Sequence, residues 1–208
     1  MDTILWDWNG TLLDDLDLCI STINTLLQNR KLPLLNHKDY KEAFSFPVEK
    51  YYRTIGFDFE KEDFSIPAAE FMKVYNNEIK NCNLHKSAVK VLSAFKNRGI
   101  RQFVLSAMQQ SMLEATLTNK GIHNFFEGIA GLSDHFAVSK IDRGRELIDR
   151  YRINREKACI IGDTDHDFEV AQVLGIKCIL VADGHQSEKR LRETGATVLM
   201  SLDDLIHF

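Results

Sequence analysis

Apolar residues along this chain form short runs that alternate with amphipathic segments, and this pattern predicts an α/β protein. Within the amphipathic segments, hydrophobic residues recur three or four positions apart, and several segments end at a glycine, as helices commonly do. The runs that we predict to be strands cover residues 4–6, 103–105, 128–132, 158–161 and 177–181. Because parallel strands need helical crossovers, we expect a doubly wound, mostly parallel Rossmann-like sheet.

The first part of the chain lacks this alternation, since no segment between the first run and residue 84 is typical of a strand. A helix is predicted there from four apolar residues on one face: Leu16, Ile20, Ile23 and Leu27. Further helices are expected at Pro47 and Pro67, because proline suits a first helical turn. We therefore expect an all-helical cap over residues 14–83, inserted into an α/β core of residues 1–13 and 84–208. Its many aromatic residues are interpreted mainly as the hydrophobic core of the cap.

Composition narrows the class of protein. With 208 residues and 44% hydrophobic content, the chain can bury the core of one domain plus a modest insertion. Its 26 Lys and Arg residues against 30 Asp and Glu give a net charge of −4 without a basic run, which disfavours nucleic acid as a partner. The apolar stretch from Ile4 is broken at Asp7, so we expect no signal peptide or membrane span and predict a cytoplasmic monomer or small homo-oligomer. The four cysteines form no C-x-x-C pair and are interpreted as reduced core thiols.

Polar residues follow three of the predicted strands. Asp7, Ser106 and Asp163 each come directly after an apolar run or close to its end. Because ligands of doubly wound sheets bind beyond the carboxyl ends of the strands, these residues are expected to converge. Each also has a purely structural interpretation: Asp7 as a turn residue, Ser106 as a helix cap, Lys140 as a solvated helix-start lysine, and Asp163 and Asp167 as a cap and a first-turn acid.

Four segments together resemble the motifs of the haloacid-dehalogenase-like hydrolases. Asp7-Trp8-Asn9-Gly10-Thr11 is similar to the D-x-D-G-T first motif, and residues 162–167 are similar to the G-D-x-x-x-D fourth motif. Ser106 and Lys140 resemble the shorter second and third motifs. The resemblance covers essentially the whole chain, with a helical cap after the first motif, as in the phosphoglycolate-phosphatase-like branch.

The resemblance implies a magnesium-dependent phosphatase that acts on a small phosphorylated metabolite. Asp7 would attack phosphorus and form an aspartyl-phosphate that water cleaves. Mg²⁺ would be held by the carboxylates of Asp7 and Asp163 and the backbone carbonyl of Asn9, with Asp167 as a further carboxylate of that shell. The groups expected to bind phosphate or fix the nucleophile loop are Thr11, Ser106 and Lys140.

One departure from the family pattern falls on Asn9. Family phosphatases have an aspartate there, which protonates the leaving group and then deprotonates water, and such help is worth about 10²–10⁴-fold in rate. An amide can do neither, so turnover of alkyl phosphates is expected to suffer. His185 is a candidate substitute because it follows the strand at 177–181, whereas His166 is interpreted as a solvated loop residue.

Other functions remain open at this point. A member of the family that lost turnover through Asn9 could be a non-enzymatic phosphate-sensing or partner-binding module, because fold alone does not fix activity. Family members that act on carbon–halogen or carbon–phosphorus bonds also lack the acid, but no residue here indicates either chemistry. A receiver domain of a signalling relay also carries a magnesium-bound aspartate, but it is too small to contain the predicted cap.

Overall fold

The computed structural model describes residues 1–132 and 139–207. Its strands are β1 Thr3–Trp6, β2 Leu13–Asp14, β3 Asn83–Leu84, β4 Arg101–Gln109, β5 Gly128–Leu132, β6 Ala158–Gly162, β7 Lys177–Val181 and β8 Thr197–Leu199. Six of them form a parallel sheet in the order β5-β4-β1-β6-β7-β8. The predicted doubly wound α/β fold is confirmed, with β1 between β4 and β6 at the centre of the sheet.

Helices separate most of the strands in sequence. Their bounds are α1 Leu16–Asn29, α2 His37–Ala43, α3 Val48–Thr54, α4 Ser65–Glu78, α5 Ala88–Asn97, α6 Gln110–Asn119, α7 Lys140–Tyr151, α8 Asp165–Leu174 and α9 Glu188–Glu193. None of the helices in the described part of the chain is long and apolar enough to cross a membrane.

Two hydrophobic clusters cover the two faces of the sheet. Ile4 and Trp6 belong to one cluster and Leu5 to the other, because successive side chains of a strand point to opposite faces. The first cluster continues into α1–α4, whereas the second is completed by residues of α7 and α8. The predicted reduced state of the cysteines agrees with the structure, in which all four are free thiols and buried or half-buried.

Helices α1–α4 lie between β2 and β3, which pair with each other in antiparallel fashion. This ribbon joins Leu13 to Leu84 and Asp14 to Asn83, at the predicted ends of the helical insertion. Between these two ribbon strands the regular elements are all helical, and loops connect them. The behaviour of residues 14–83 as a separate, movable cap stays a prediction.

Five short elements were not predicted: α2, α9, β8 and the two-residue strands β2 and β3, which correct the expectation that no strand lies between the first apolar run and residue 84. Helix α2 has one buried residue, Tyr40, and so lacks a helical apolar stripe. Strand β8 has three residues and lies at the edge of the sheet, and α9 has six residues with only Leu191 buried. Strand β4 is also longer than the apolar run at 103–105, because it continues through polar positions to Gln109.

Candidate active site

Three carboxylates meet at the carboxyl edge of the sheet. Asp7 follows β1, Asp163 follows β6, and Asp167 lies in the first turn of α8. One oxygen of each lies within 4.8 Å of the others, and all three side chains are buried. The expected convergence of strand ends is confirmed for Asp7 and Asp163.

Lys140 is the cation of this cluster. It begins α7, whose start is fixed by a capping box between Ser139 and Asp142. Its Nζ donates to Asp7 Oδ1 at 2.7 Å and to Asp167 Oδ1 at 2.6 Å, and the residue is 5% exposed. Burial alone would lower the pKa of Lys140, but the two carboxylates outweigh it and raise the pKa. The interpretation of Lys140 as a solvated lysine is wrong.

The cluster has more negative than positive charge. Burial raises the pKa of the Asp7 carboxyl, and the nearby Asp167 and Asp163 carboxylates add to this rise, although Lys140 opposes it. Burial likewise raises the pKa of Asp163, in spite of His185. Three carboxylates and one ammonium in a buried site create a local shortage of positive charge, which a divalent cation with oxygen ligands would relieve.

Asp163 is held by the loop after β1 and the loop after β7. Thr11 Oγ1 donates to Asp163 Oδ1 at 2.8 Å, and the backbone N–H of His185 donates to Oδ2 at 2.7 Å. A Cβ added at Gly10 would lie 2.3 Å from Asp163 Oδ2, and one at Gly184 would lie 2.1 Å from it. Glycine is required at both positions, and the Thr11 hydroxyl connects the loop after β1 to Asp163.

Asp167 has a structural role as well as an electrostatic one. Its Oδ2 accepts from Thr164 Oγ1 at 2.7 Å and from the Thr164 N–H at 3.1 Å, which caps α8. Its Oδ1 accepts from Lys140. Burial would raise the pKa of Asp167, but Lys140 and these hydrogen bonds lower it.

Ser106 lies inside β4 and does not end it, which corrects the prediction that the strand stops there. The register with β5 is irregular between Leu105 and Gln109, and Ser106 lies in this irregular stretch. Its Oγ accepts from the Met108 N–H at 3.1 Å, and its side chain lines the same cavity as Asp7. Ser106 and Asp7 thus line one cavity, and the role of Ser106 in binding phosphate stays a prediction.

Asn9 is fixed through its amide nitrogen. Nδ2 donates to Asp15 Oδ2 at 3.0 Å and lies 2.6 Å from the hydroxyl of Tyr75. That hydroxyl donates to the same Asp15 oxygen at 2.5 Å, and the Gly10 N–H donates to Asp15 Oδ1 at 2.8 Å. The carboxylate that contacts the loop after β1 is therefore that of Asp15, and residue 9 supplies a hydrogen-bond donor to it.

Asp15 and His185 form a buried ion pair. His185 Nε2 lies 3.2 Å from Asp15 Oδ1, and Nδ1 lies 3.2 Å from the hydroxyl of Tyr40. Burial would lower the pKa of His185, but Asp15 and then Asp163 and Asp7 raise it to about 9. Burial would raise the pKa of Asp15, but the charge of His185 and hydrogen bonds from His185, Tyr75 and Asn9 lower it to about 2. Both ring nitrogens of His185 face protein groups, so its role as a substitute proton donor stays a prediction that this geometry does not favour.

Several residues of the site were missed in the sequence. Asp15 lies directly before α1 and Tyr75 lies in α4, and neither was predicted as a site residue. His85 was also missed: its Nε2 lies 3.0 Å from the Gly10 carbonyl oxygen and its Nδ1 lies 3.5 Å from Asp183. The adjacent acids Asp14-Asp15 after the first motif were the sequence feature that could have pointed to a further carboxylate at the site.

A cavity of about 280 Å³ opens between the carboxylate cluster and helices α2–α4. His166 contributes to its wall, with its ring 4.8 Å from that of Phe46. His166 therefore lies in the first turn of α8 and packs on an aromatic ring, and its interpretation as a solvated loop residue is wrong. The cavity is apolar on the side of these helices and polar at the carboxylates.

Comparisons with known proteins agree with this arrangement. Residues 4–181 match the haloacid dehalogenase-like hydrolase family. The chain is 25% identical over 194 residues to a phosphoglycolate phosphatase of Caulobacter vibrioides, which covers 89% of this chain and 81% of the relative. It is 24% identical over 197 residues to the tyrosine-protein kinase PtkA of Mycobacterium tuberculosis, covering 94% of this chain and 67% of the relative. The fold is similar to that of a haloacid dehalogenase-like hydrolase from Streptococcus pneumoniae, with a TM-score of 0.85, 21% identity, and 100% and 97% of the two chains covered.

Proposed function

Because this chain belongs to the haloacid dehalogenase-like hydrolase family, we propose that it is a magnesium-dependent phosphatase of small organic phosphates with Asp7 as the nucleophile. The observation that carries this proposal is the buried cluster of Asp7, Asp163, Asp167 and Lys140 at the carboxyl edge of the sheet. Relatives named as phosphoglycolate phosphatases support the choice of reaction.

The residues present fit a magnesium ion. Carboxylates are the hard oxygen ligands that Mg²⁺ prefers, and three of them converge here with only one ammonium to balance them. Asp7 and Asp163 would hold the ion together with the backbone carbonyl of Asn9, while Asp167, already bonded to Lys140, would complete the acidic shell. The ion would offset the negative charge of the phosphoryl group during transfer.

Asp7 is positioned to act as a nucleophile. One of its oxygens is fixed by Lys140, and its side chain lines the cavity. In the proposed reaction a carboxylate oxygen of Asp7 bonds to phosphorus while the bond from phosphorus to the leaving oxygen breaks. Water then cleaves the aspartyl-phosphate, which releases inorganic phosphate and regenerates the carboxylate. Lys140 and Ser106 would stabilise the phosphoryl oxygens, and Thr11 would act by fixing Asp163.

Asn9 limits the leaving groups that this site can expel. Its amide hydrogens are committed to Asp15 and Tyr75, and an amide does not give up a proton to an alkoxide. The site is therefore suited to leaving groups that depart as stable anions. The alternative of a non-enzymatic sensing module has less support, because the nucleophile, the lysine and the carboxylates are all present in one cluster. A cytoplasmic location and a monomeric or small homo-oligomeric state stay predictions.

The test is phosphate release by the purified protein from a panel of acyl, aryl and alkyl phosphates, with Mg²⁺ or with a chelator. Asp7→Asn is the matched control, because the amide keeps the shape of the side chain and removes the nucleophilic charge. We expect release that requires both Mg²⁺ and Asp7. Equal release by Asp7→Asn, or no release from any compound in the panel, would overturn the proposal.

A further inference from the structure

The wall of the cavity that faces the carboxylates is lined mainly by aromatic and thioether side chains, with Asn76 and Gln109 as polar members. From the inserted helices and their connections come Phe44, Phe46, Tyr51 and Phe71, and from the core come Met108 and Met112. Phe44, Phe46 and Phe71 are only half-buried, so part of their apolar surface faces the cavity. A volume of about 280 Å³ is near the lower end of small-molecule sites and suits one small organic group.

The charges in this wall disfavour a substrate that carries a second anionic group besides its phosphate. Among the described residues that line the cavity, the cationic or titratable bases are Lys140, His166 and His185, and each already contacts a carboxylate. No arginine is present among those described lining residues. A carboxylate next to the phosphate, as in phosphoglycolate, would therefore be buried without a cationic partner, which is unfavourable.

From these observations we propose that the substrates are aryl phosphates, meaning phosphate esters of a phenol whose ring occupies this cavity. The inference rests on the proposed function and narrows its substrate class. Two independent features select the same compounds. The cavity offers ring faces and sulfur atoms to an aromatic group. Asn9 cannot supply a proton, and a phenolate, with a conjugate acid of pKa about 10, leaves without one far more readily than an alkoxide.

Four compounds separate ring binding from leaving-group ability. Phenyl phosphate has both a ring and a good leaving group, benzyl phosphate has a ring with a poor leaving group, acetyl phosphate has a good leaving group without a ring, and ethyl phosphate has neither. We expect phenyl phosphate to have the highest kcat/KM, benzyl phosphate to share its low KM with a much lower kcat, and acetyl phosphate to show a high KM.

Variants of the wall test the placement of the ring. Phe46→Leu keeps an apolar side chain and removes the ring, so KM for phenyl and benzyl phosphate should rise about 3- to 10-fold, the size of one aromatic contact, and by more than KM for acetyl phosphate. Phe59→Leu is the matched control, because Phe59 belongs to the same aromatic cluster but does not line the cavity.

The outcomes distinguish this inference from the proposed function. If acetyl phosphate is cleaved with dependence on Asp7 but phenyl phosphate is not preferred, the aryl assignment fails while the phosphatase stands. The same holds if Phe46→Leu and Phe59→Leu behave alike. If none of the compounds is cleaved, the proposed function fails and the substrate class fails with it.

Discussion

Replacing Asn9 with aspartate would introduce the residue that family phosphatases have at this position. From the structure, however, we expect this single change to destabilise the protein. Asn9 Nδ2 donates to Asp15 Oδ2 at 3.0 Å and lies 2.6 Å from the Tyr75 hydroxyl, which itself donates to Asp15. In Asn9→Asp a carboxylate oxygen would take the place of that donor. The new carboxylate at position 9 would then face the carboxylate of Asp15, a residue that is only 1% exposed.

The size of the effect can be estimated in two ways. Two unit charges about 4 Å apart repel by about 4 kcal/mol at an effective dielectric constant of about 20. The pair could instead take up a proton, which at pH 7 costs about 4 kcal/mol for a group with a pKa near 4, at about 1.4 kcal/mol per pH unit. Both routes give a loss of roughly 4 kcal/mol in the free energy of unfolding, which is a large part of the stability of a typical domain.

The assay is equilibrium denaturation together with phosphate release from an alkyl phosphate. We expect Asn9→Asp to be destabilised and to gain no alkyl phosphatase activity. In the exchanged variant, Asn9→Asp with Asp15→Asn, an amide donor again lies opposite a carboxylate acceptor. Its free energy of unfolding should therefore exceed that of Asn9→Asp by at least about 2 kcal/mol in a double-mutant cycle. Mass spectrometry is needed throughout, because Asn-Gly sequences deamidate. If Asn9→Asp is as stable as the unconverted parent chain and hydrolyses alkyl phosphates faster than that chain does, this reasoning is refuted.

Three further predictions concern the charged cluster and the inserted helices. Asp163→Asn should weaken Mg²⁺ binding at least about 10-fold by calorimetry, and unchanged affinity would remove Asp163 from the metal site. Lys140→Ala should lower the free energy of unfolding by about 3–5 kcal/mol, because it leaves buried carboxylates without their partner. Mg²⁺ should then raise the Tm of this variant more than that of the parent, and equal Tm shifts would contradict the charge argument. Binding of a phosphate analogue should slow hydrogen exchange at the β2–β3 ribbon if residues 14–83 move as a lid, whereas unchanged exchange there would count against movement.

The sheet could be predicted from the sequence because its strands are buried on both faces and appear as uninterrupted apolar runs. The same logic explains the failures. Helix α2 and strand β8 are short and bury few residues, so no periodic signal marks them. The extension of β4 beyond Ser106 includes polar and half-exposed positions, for which an apolar run is not expected. Strand prediction succeeded where burial dictates composition and failed where it does not.

The clustering of Asp7 and Asp163 was predictable because both follow parallel strands of one sheet. Lys140 begins a helix instead, and it was identified only through the resemblance of its segment to a family motif. Asp15 could not be assigned in this way, since an acid at a helix start already has a sufficient local explanation. Its partners Tyr75 and His185 are 60 and 170 residues away, and only the packed structure brings them to one carboxylate.

The Asp15 network also connects the two parts of the molecule. Tyr75 comes from α4, whereas Asn9 and His185 come from loops at the carboxyl edge of the sheet. The hydrogen bonds that orient the Asn9 amide are therefore complete only while α4 is packed against the core. A ring bound between the inserted helices and the carboxylates would favour that packed arrangement, because it buries apolar surface on both sides of the cavity. Substrate binding and the orientation of residue 9 are thus expected to be coupled. The Asn9 amide would be held in one orientation only when the inserted helices are packed against the core.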